Sequence, residues 1–567
     1  MLGPLATSAL LLACSGQAEA ELVEPVVGDP SIRIEEPAAA SYVAVGSHTL
    51  TGIGVDLVSV EVTPSGGVVS PTSAEHVAAS FSGGRFEADV EALWGINTYE
   101  ALGTDAGGDT WLARRSVLAG TFSPAEGLVE QAAAFRIEAD AFDTLAGFIE
   151  GALDPVQLSA AMKGGPAVFE ENFGILGLDA VTLSASLGSI DFDRPDLGVD
   201  PAPGALQMRL VLPAVQIELP VEGTVVGIGF DTHATVGCDQ AIVAADVRFG
   251  TDGSGGLDIE VLDPTIELLG FWYDVSLLPG DAVEGLFTSN LQGILEDELV
   301  AQVQAGLPTL LDTALAGLQQ PTELAFLDLT ASLTPSFRSA TVDNDGLAIS
   351  IDLDVQVPIA GTKSAPGYLR ADAGLPPLTG VDLGMIASDD LVNRILFELW
   401  AGGVLDLTLD GSDGLLDPAL FEELGGHNGG SITLDARLPP VLVQESGQPR
   451  LQVGEWLVRI DTPDGDNGEY LELACALSAG IDMEVAGGSL VGTVTEPQVS
   501  YIVRDTDWTA RPETITRLVE DQLPVDELLD LLGTIAFPIP AIGGFTLEEA
   551  AIDRGQGGAS TTISLDL

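Results

Sequence analysis

The chain has 567 residues, with 86 acidic side chains against 20 basic ones and a formal net charge of −66. So few cations argue against a nucleic-acid binder, which must neutralise phosphates with Lys and Arg, and against electrostatic docking on anionic lipid headgroups. A hydrophobic fraction of 46% is ample for large cores and excludes general disorder, and the length predicts roughly two to four domains.

The chain begins MLGPLATSALLLACSG. Its apolar run is too short to cross a bilayer and reads as a targeting segment. LLAC resembles the lipobox of bacterial lipoproteins. That resemblance implies a signal peptide over 1–13, cleavage before Cys14 and lipidation of Cys14; an ordinary cleaved secretory signal is the other reading. Ser15 stands where an Asp would signal inner-membrane retention, so the resemblance implies an outer-membrane anchor. Residues 14–30 are small and acidic, as a tether should be.

Short alternating runs separated by Gly, Pro and Asn predict strands from 31 to 122: SIRIEEP, HTLTGIGV, VSVEVTP, GRFEADVEAL and SVLAG. Gly84-Arg85-Phe86, Val90, Gly95-Ile96-Asn97 and Ala101 through Asp109 resemble the final strands of bacterial immunoglobulin-like domains. The resemblance implies a β-sandwich acting as a spacer or adhesion module.

Beyond it, two passages are built alike. The first opens with a predicted helix over 135–153, with Phe142, Leu145, Phe148, Ile149 and Leu153 at helical spacing. Strand patterns follow at 180–192, 206–225, 240–249 and 257–275. A long amphipathic helix then carries Leu286, Phe287, Leu291, Ile294, Leu295, Leu299, Val303, Leu307, Leu310, Leu311, Leu315 and Leu318, with Pro308 expected to kink or divide it. A connecting region has strands at ELAFLDLTASL and LAISIDLDVQV. The second passage opens with SDDLVNRILFELWAGGVLDLTL, whose Leu391, Val392, Ile395, Leu396, Leu399 and Trp400 share one helical face. Strands follow at 431–443, 450–461, 469–485 and 489–503, then a helical stretch at 512–533. Cys238 and Cys475 occupy matching places in the two passages. A pair in an exported protein could form a disulfide, or their equivalence could be inherited symmetry.

The order of four motifs, RIEADAFD, SDDLVNRILFELWAGGVLDLTL, GLPTLLDTALAGL and the tail FPIPAIGGFTLEEAAIDRGQGGASTTISLDL, resembles the tubular lipid-binding superfamily. The likeness is to the two-barrel branch of bactericidal/permeability-increasing and lipopolysaccharide-binding proteins, and it spans roughly 130–567. It implies an α+β fold of two tandem elongated β-barrels, each wrapped on two helices, behind the all-β sandwich. The expected segments are 31–122 for the sandwich, 130–340 for the first barrel, 341–380 for a central sheet and connector, and 381–567 for the second barrel. The implied function is an envelope-anchored lipoprotein that binds, and by extension transfers, phospholipid or another acyl lipid. Candidate lipid-binding residues are Phe142, Leu145, Phe148, Ile149, Leu291 and Leu295 in the first half and Leu391, Ile395, Leu399 and Trp400 in the second. The chain has no basic cluster of the kind the host-defence members use. The alternative is a structural or adhesive surface lipoprotein with filled barrels, acting through its sandwich on a protein partner the sequence does not name. His48, His76, His233 and His427 are scattered, and no nucleophile elbow, HExxH or phosphate loop is present. An enzyme, a cofactor and a metal are therefore not expected. The acidic turns at 343–346 and 461–469 read as hairpin turns in preference to calcium loops.

Overall fold

A computed structural model describes residues 31–66, 76–153, 155, 169–175, 178–225, 228–274, 281–326, 329–359, 361–371, 374–410, 430–445, 448–462, 469–506, 536–540, 542, 551–553 and 560–565. Cys14, the tether, the helix expected at 512–533 and most of the 461–469 turn lie outside the described residues. The fold is β-rich α+β: many strands, few helices, and curled half-barrel sheets.

Residues 31–119 form two facing sheets. One is four-stranded, in the order Ser31–Glu36, Gly46–Val55, Arg85–Ala92, Ser80–Ser82; the other is five-stranded, in the order Ser41–Val43, Thr110–Ala119, Gly95–Asp105, Leu57–Gly66, Val77–Ala78. Arg85–Ala92 alternates strictly between exposed and buried residues, the period-two pattern of a strand with one face in a core. Phe86, Ala88 and Val90 from one sheet meet Val62, Tyr99 and Val117 from the other.

The first curled sheet is built around two long antiparallel strands, Ala205–Val225 and Ile228–Thr251, flanked by Leu178–Ala185 and Leu257–Leu269. Ser189–Asp191 and Asp196–Ala202 both pair with Ala205–Val225, leaving a kink at 192–195 between them. Helix α1, Phe142–Ala152, packs on Asp196–Ala202, and helix α2, Asp281–Ala314, packs on Leu257–Leu269. α2 runs unbroken through Pro308. Strand Val129–Glu138 precedes α1, so the helix expected from 135 starts later, at 142. Phe135 and Ile137 are instead ladder residues paired to Gly346–Gln356 and Leu383–Ser388.

That strand sits in the middle of a seven-stranded central sheet, ordered Thr322–Phe326, Leu329–Val342, Gly346–Gln356, Val129–Glu138, Leu383–Ser388, Ser560–Leu565, Ala551–Asp553. The 343–346 turn is a hairpin inside this sheet. The Asp343 carboxylate accepts the Asp345 and Gly346 amides at 2.9 Å each and takes two bonds from the Arg136 guanidinium, at 2.8 and 3.1 Å.

The second curled sheet runs Leu407–Asp410, Ser431–Ala436, Gln448–Thr462, Glu469–Ala486, Ser489–Thr506, Ala536–Pro538. Helix α3, Asp389–Ala401, fills its concave side. Ser388 caps α3, its hydroxyl accepting the Asp390 amide at 3.1 Å, and Gly403 ends the turn with φ +75. Strand Gln448–Thr462 is buried on both faces. Its inner face joins the core around α3, and its outer face meets the five-stranded sheet of 31–119.

Candidate functional site

The two halves are filled differently. In the second, Trp400, Trp456, Tyr501, Leu399 and Ile395 belong to one continuous apolar cluster that extends across the central sheet. The Trp400 indole N–H donates to the Ala436 carbonyl at 2.7 Å, its ring lies 5.6 Å from that of Phe397, and the Lys363 ammonium sits 5.3 Å from its centroid. In the first half the buried residues separate into two clusters. One gathers α1, the end of α2 and the central sheet, including Phe142, Leu145, Ile149, Leu311 and Leu315. The other gathers Ile190, Ile217, Val236, Leu291 and Leu295.

A cavity of about 290 Å³ lies between those two clusters. Its floor is the curled sheet: Met208, Leu210 and Leu212 on one long strand, Ala241, Val243 and Ala245 on the next, and Ile266 beyond. Its roof is helical, with Ile149 and Leu153 from α1 and Leu299, Gln302, Val303, Ala305, Gly306, Leu307 and Leu310 from α2. Ile190, Phe192 and Leu197 close the side at the kinked edge. Inward residues on a strand recur every second position at about 3.4 Å per residue, so the three inward residues on each long strand, two steps apart end to end, span an apolar channel roughly 14 Å long. Gln302 alone among these residues has a polar side chain. Walls of this kind favour hydrocarbon; an enclosed apolar cavity of about half the size is large enough for benzene.

At the kink, the Glu150 carboxylate accepts the Leu197 amide at 2.9 Å and lies 3.6 Å from the Arg194 guanidinium, whose side chain is 87% exposed. This fastens the end of α1 to the sheet edge beside the cavity.

No family model and no curated protein matches the chain. Among solved structures it is similar to a crystal structure of lipopolysaccharide binding protein, at 14% identity and a TM-score of 0.40, over 77% of this chain and 99% of that one. A tetra-tandem repeat from the extending region of a large adhesion protein aligns over 84% of this chain and 100% of that one, at 10% identity and a TM-score of 0.15. An engineered protein aligns over 16% of this chain and 20% of that one, at 24% identity and a TM-score of 0.15. At these scores the likenesses carry no weight for function, and the cavity is read from its own geometry.

Of the ten residues singled out from the sequence for lipid binding, Ile149 lines the cavity. Phe142 and Leu145 pack on one side of it and Leu291 and Leu295 on the other, all buried. Phe148 is 38% exposed. Leu391, Ile395, Leu399 and Trp400 sit in the continuous core of the second half. Leu153, Leu299, Val303, Leu307 and Leu310 stood in the helical stripes read from the sequence without being chosen; Phe192, Met208, Val243 and Ile266 were read only as strand. Alternation in the long strands signals one buried face, but not whether that face meets side chains or space. Cys238 and Cys475 are free thiols in different cores, so the disulfide considered for them is not formed. Each faces inward on its own long strand, and burial pushes both thiols up, to about 11 and about 12. Among the described residues no group of three His, Cys, Asp or Glu is placed to hold a metal, and no helix is long and apolar enough to cross a membrane.

Proposed function

We propose that this chain binds an acyl lipid in the cavity of its first curled sheet. The carrying observation is an apolar channel of about 290 Å³ between two separate cores, walled by side chains of which one is polar. Each buried methylene contributes about 0.8 kcal/mol. A dodecyl chain would thus gain roughly 9 kcal/mol before ordering costs, enough for capture with no charge pairing along the tail. The sandwich at 31–122 is read as immunoglobulin-like, and the two curled sheets as tandem barrels of the tubular lipid-binding type. The lipobox-like LLAC supports an anchor at Cys14 and a place in a bacterial envelope, with the sandwich and acidic tether holding the lipid-binding body off the membrane.

Filling the channel tests the proposal without adding charge. Ala245→Phe puts a ring into the floor at a position 6% exposed. Delipidated wild type should take up one equivalent of a long-chain lipid by native mass spectrometry, and the variant at least tenfold less at unchanged far-UV circular dichroism. Equal uptake by the two proteins, or none by the wild type, would sink the proposal.

A further inference from the structure

We infer that the ligand of this cavity is a single-chain lipid with an anionic head, and that Arg194 is the residue that selects the head. The inference rests on the lipid-binding reading above and deepens it. Three observations carry it. First, the volume, about 290 Å³, lies at the bottom of the range for small-molecule pockets; it suits one hydrocarbon chain and not the two of a diacyl lipid. Second, Arg194 does not line the cavity but stands in the kink between Phe192 and Leu197, which both do, and it pairs with Glu150 one residue from Ile149, also a wall residue, so the charge lies at the cavity's edge. Third, Arg194 is held loosely. Among the described residues most cations in ion pairs are held within 3.3 Å or buried, whereas this side chain is 87% exposed and its ion pair with Glu150 spans 3.6 Å. Glu150 already gives its other oxygen to the Leu197 amide. A carboxylate or phosphate head would add a bidentate partner of the geometry a guanidinium prefers.

The net charge of −66 opposes an anion, yet at physiological salt charges beyond about 8 Å are largely screened. The local contest is between Arg194 and the exposed Asp193 and Asp196 on either side of it, with Glu150 beneath. Selection therefore depends on direct contact, and neutralising those two aspartates should strengthen it.

The test uses delipidated full-length protein at 150 mM salt, with calorimetric titration of palmitate, palmitoyl lysophosphatidate, neutral monopalmitin and dipalmitoyl phosphatidylcholine. Wild type should bind the two anionic single-chain probes about fivefold more tightly than monopalmitin, the scale of one exposed charge contact, and the diacyl lipid most weakly. Arg194→Gln should erase the fivefold difference and leave monopalmitin affinity unchanged; Arg194→Lys should keep part of it; Asp193→Asn with Asp196→Asn should widen it. Palmitate and lysophosphatidate separate a carboxylate from a phosphate head. Equal affinities in wild type, a uniform loss in Arg194→Gln, or diacyl binding as tight as single-chain binding would overturn this inference while leaving the cavity a lipid site. Failure of all four probes to bind wild type would overturn both.

Discussion

Asp390 lies in the first turn of α3 with a side chain 10% exposed. One carboxylate oxygen takes the Ala371 amide, and the other is 3.8 Å from the Arg370 guanidinium. A helix N-terminus and a nearby cation both favour the ionised form, the first by up to about 1 kcal/mol. Burial outweighs them and, with Asp389 beside it, pushes the carboxyl up to about 6. A carboxyl raised in the folded state stabilises the fold while protonated. Its contribution is complete below about pH 4, the unfolded value, and is lost as pH rises through about 6. Asp390→Asn should therefore flatten the fall in stability between pH 4 and 7 by about 2–3 kcal/mol, read as the urea midpoint at each pH. A variant as pH-dependent as wild type would show that Asp390 titrates normally. That Asp390 is acidic and near a helix start is plain from the sequence. Its burial is not, because the strand Tyr368–Arg370 that covers α3 comes from the Gly/Pro-rich connector.

At the scale of elements, α3 was the most legible feature. Its apolar face appears where the pattern puts it, and its Ser388 cap and glycine stop are equally local signals. The buried face of α1 was legible but its start was not, since the chain is still strand at 135–138 and the helix begins at Phe142. At roughly 100° per residue, Phe142, Leu145, Ile149 and Leu153 fall within a narrow arc, and Phe148 lies more than 100° from Ile149's neighbour Phe142. That angle is why Phe148 faces solvent while Leu153 reaches the channel. Helical spacing at three or four therefore needs to be summed along the whole helix. What the stripes could not show is whether a buried face meets a neighbour or a void. Ile149 and Trp400 satisfy the same pattern, one beside the cavity and one inside a continuous apolar cluster. The ends of α3 carry a direct prediction. Ser388→Ala leaves the Asp390 amide without its cap and should cost about 1 kcal/mol. Gly403→Ala forces a Cβ into a left-handed conformation at φ +75 and should cost about 1–2 kcal/mol. Both are measurable as shifts in denaturant midpoint at constant m-value, and the two should add, since they act at opposite ends of the helix.

At the scale of the molecule, the two facing sheets of 31–119 are not a free spacer. Their five-stranded sheet lies on the outer face of strand Gln448–Thr462, with Ile96 and Leu118 against Val441 and Val443, and Leu112 against Leu457 and Ile502. Packing is close enough that a Cβ on Gly454 would come within 2.6 Å of the Ile96 side chain. Two side chains fasten the contact: the Gln452 amide oxygen accepts the Ile96 N–H at 2.9 Å, and the Glu455 carboxylate accepts the Ser116 N–H at 2.8 Å. The alternation of Leu451, Val453, Trp456 and Val458 in RLQVGEWLV marks one buried face, while Gln452 and Glu455 give no sign that the other face is buried too. Nothing local names the second partner, because these bonds join residues 356 and 339 apart in sequence. Each bond satisfies a buried amide that water cannot reach, and an orphaned one costs about 1–3 kcal/mol. Gln452→Ala with Glu455→Ala should therefore loosen the joint without unpacking either core. Wild type should melt the sandwich and the second half in one calorimetric transition, and the double variant should split it, the sandwich leaving first and the segment near Ser123 becoming open to protease. A single transition in both proteins, with unchanged proteolysis, would mean that apolar packing alone holds the sandwich in place.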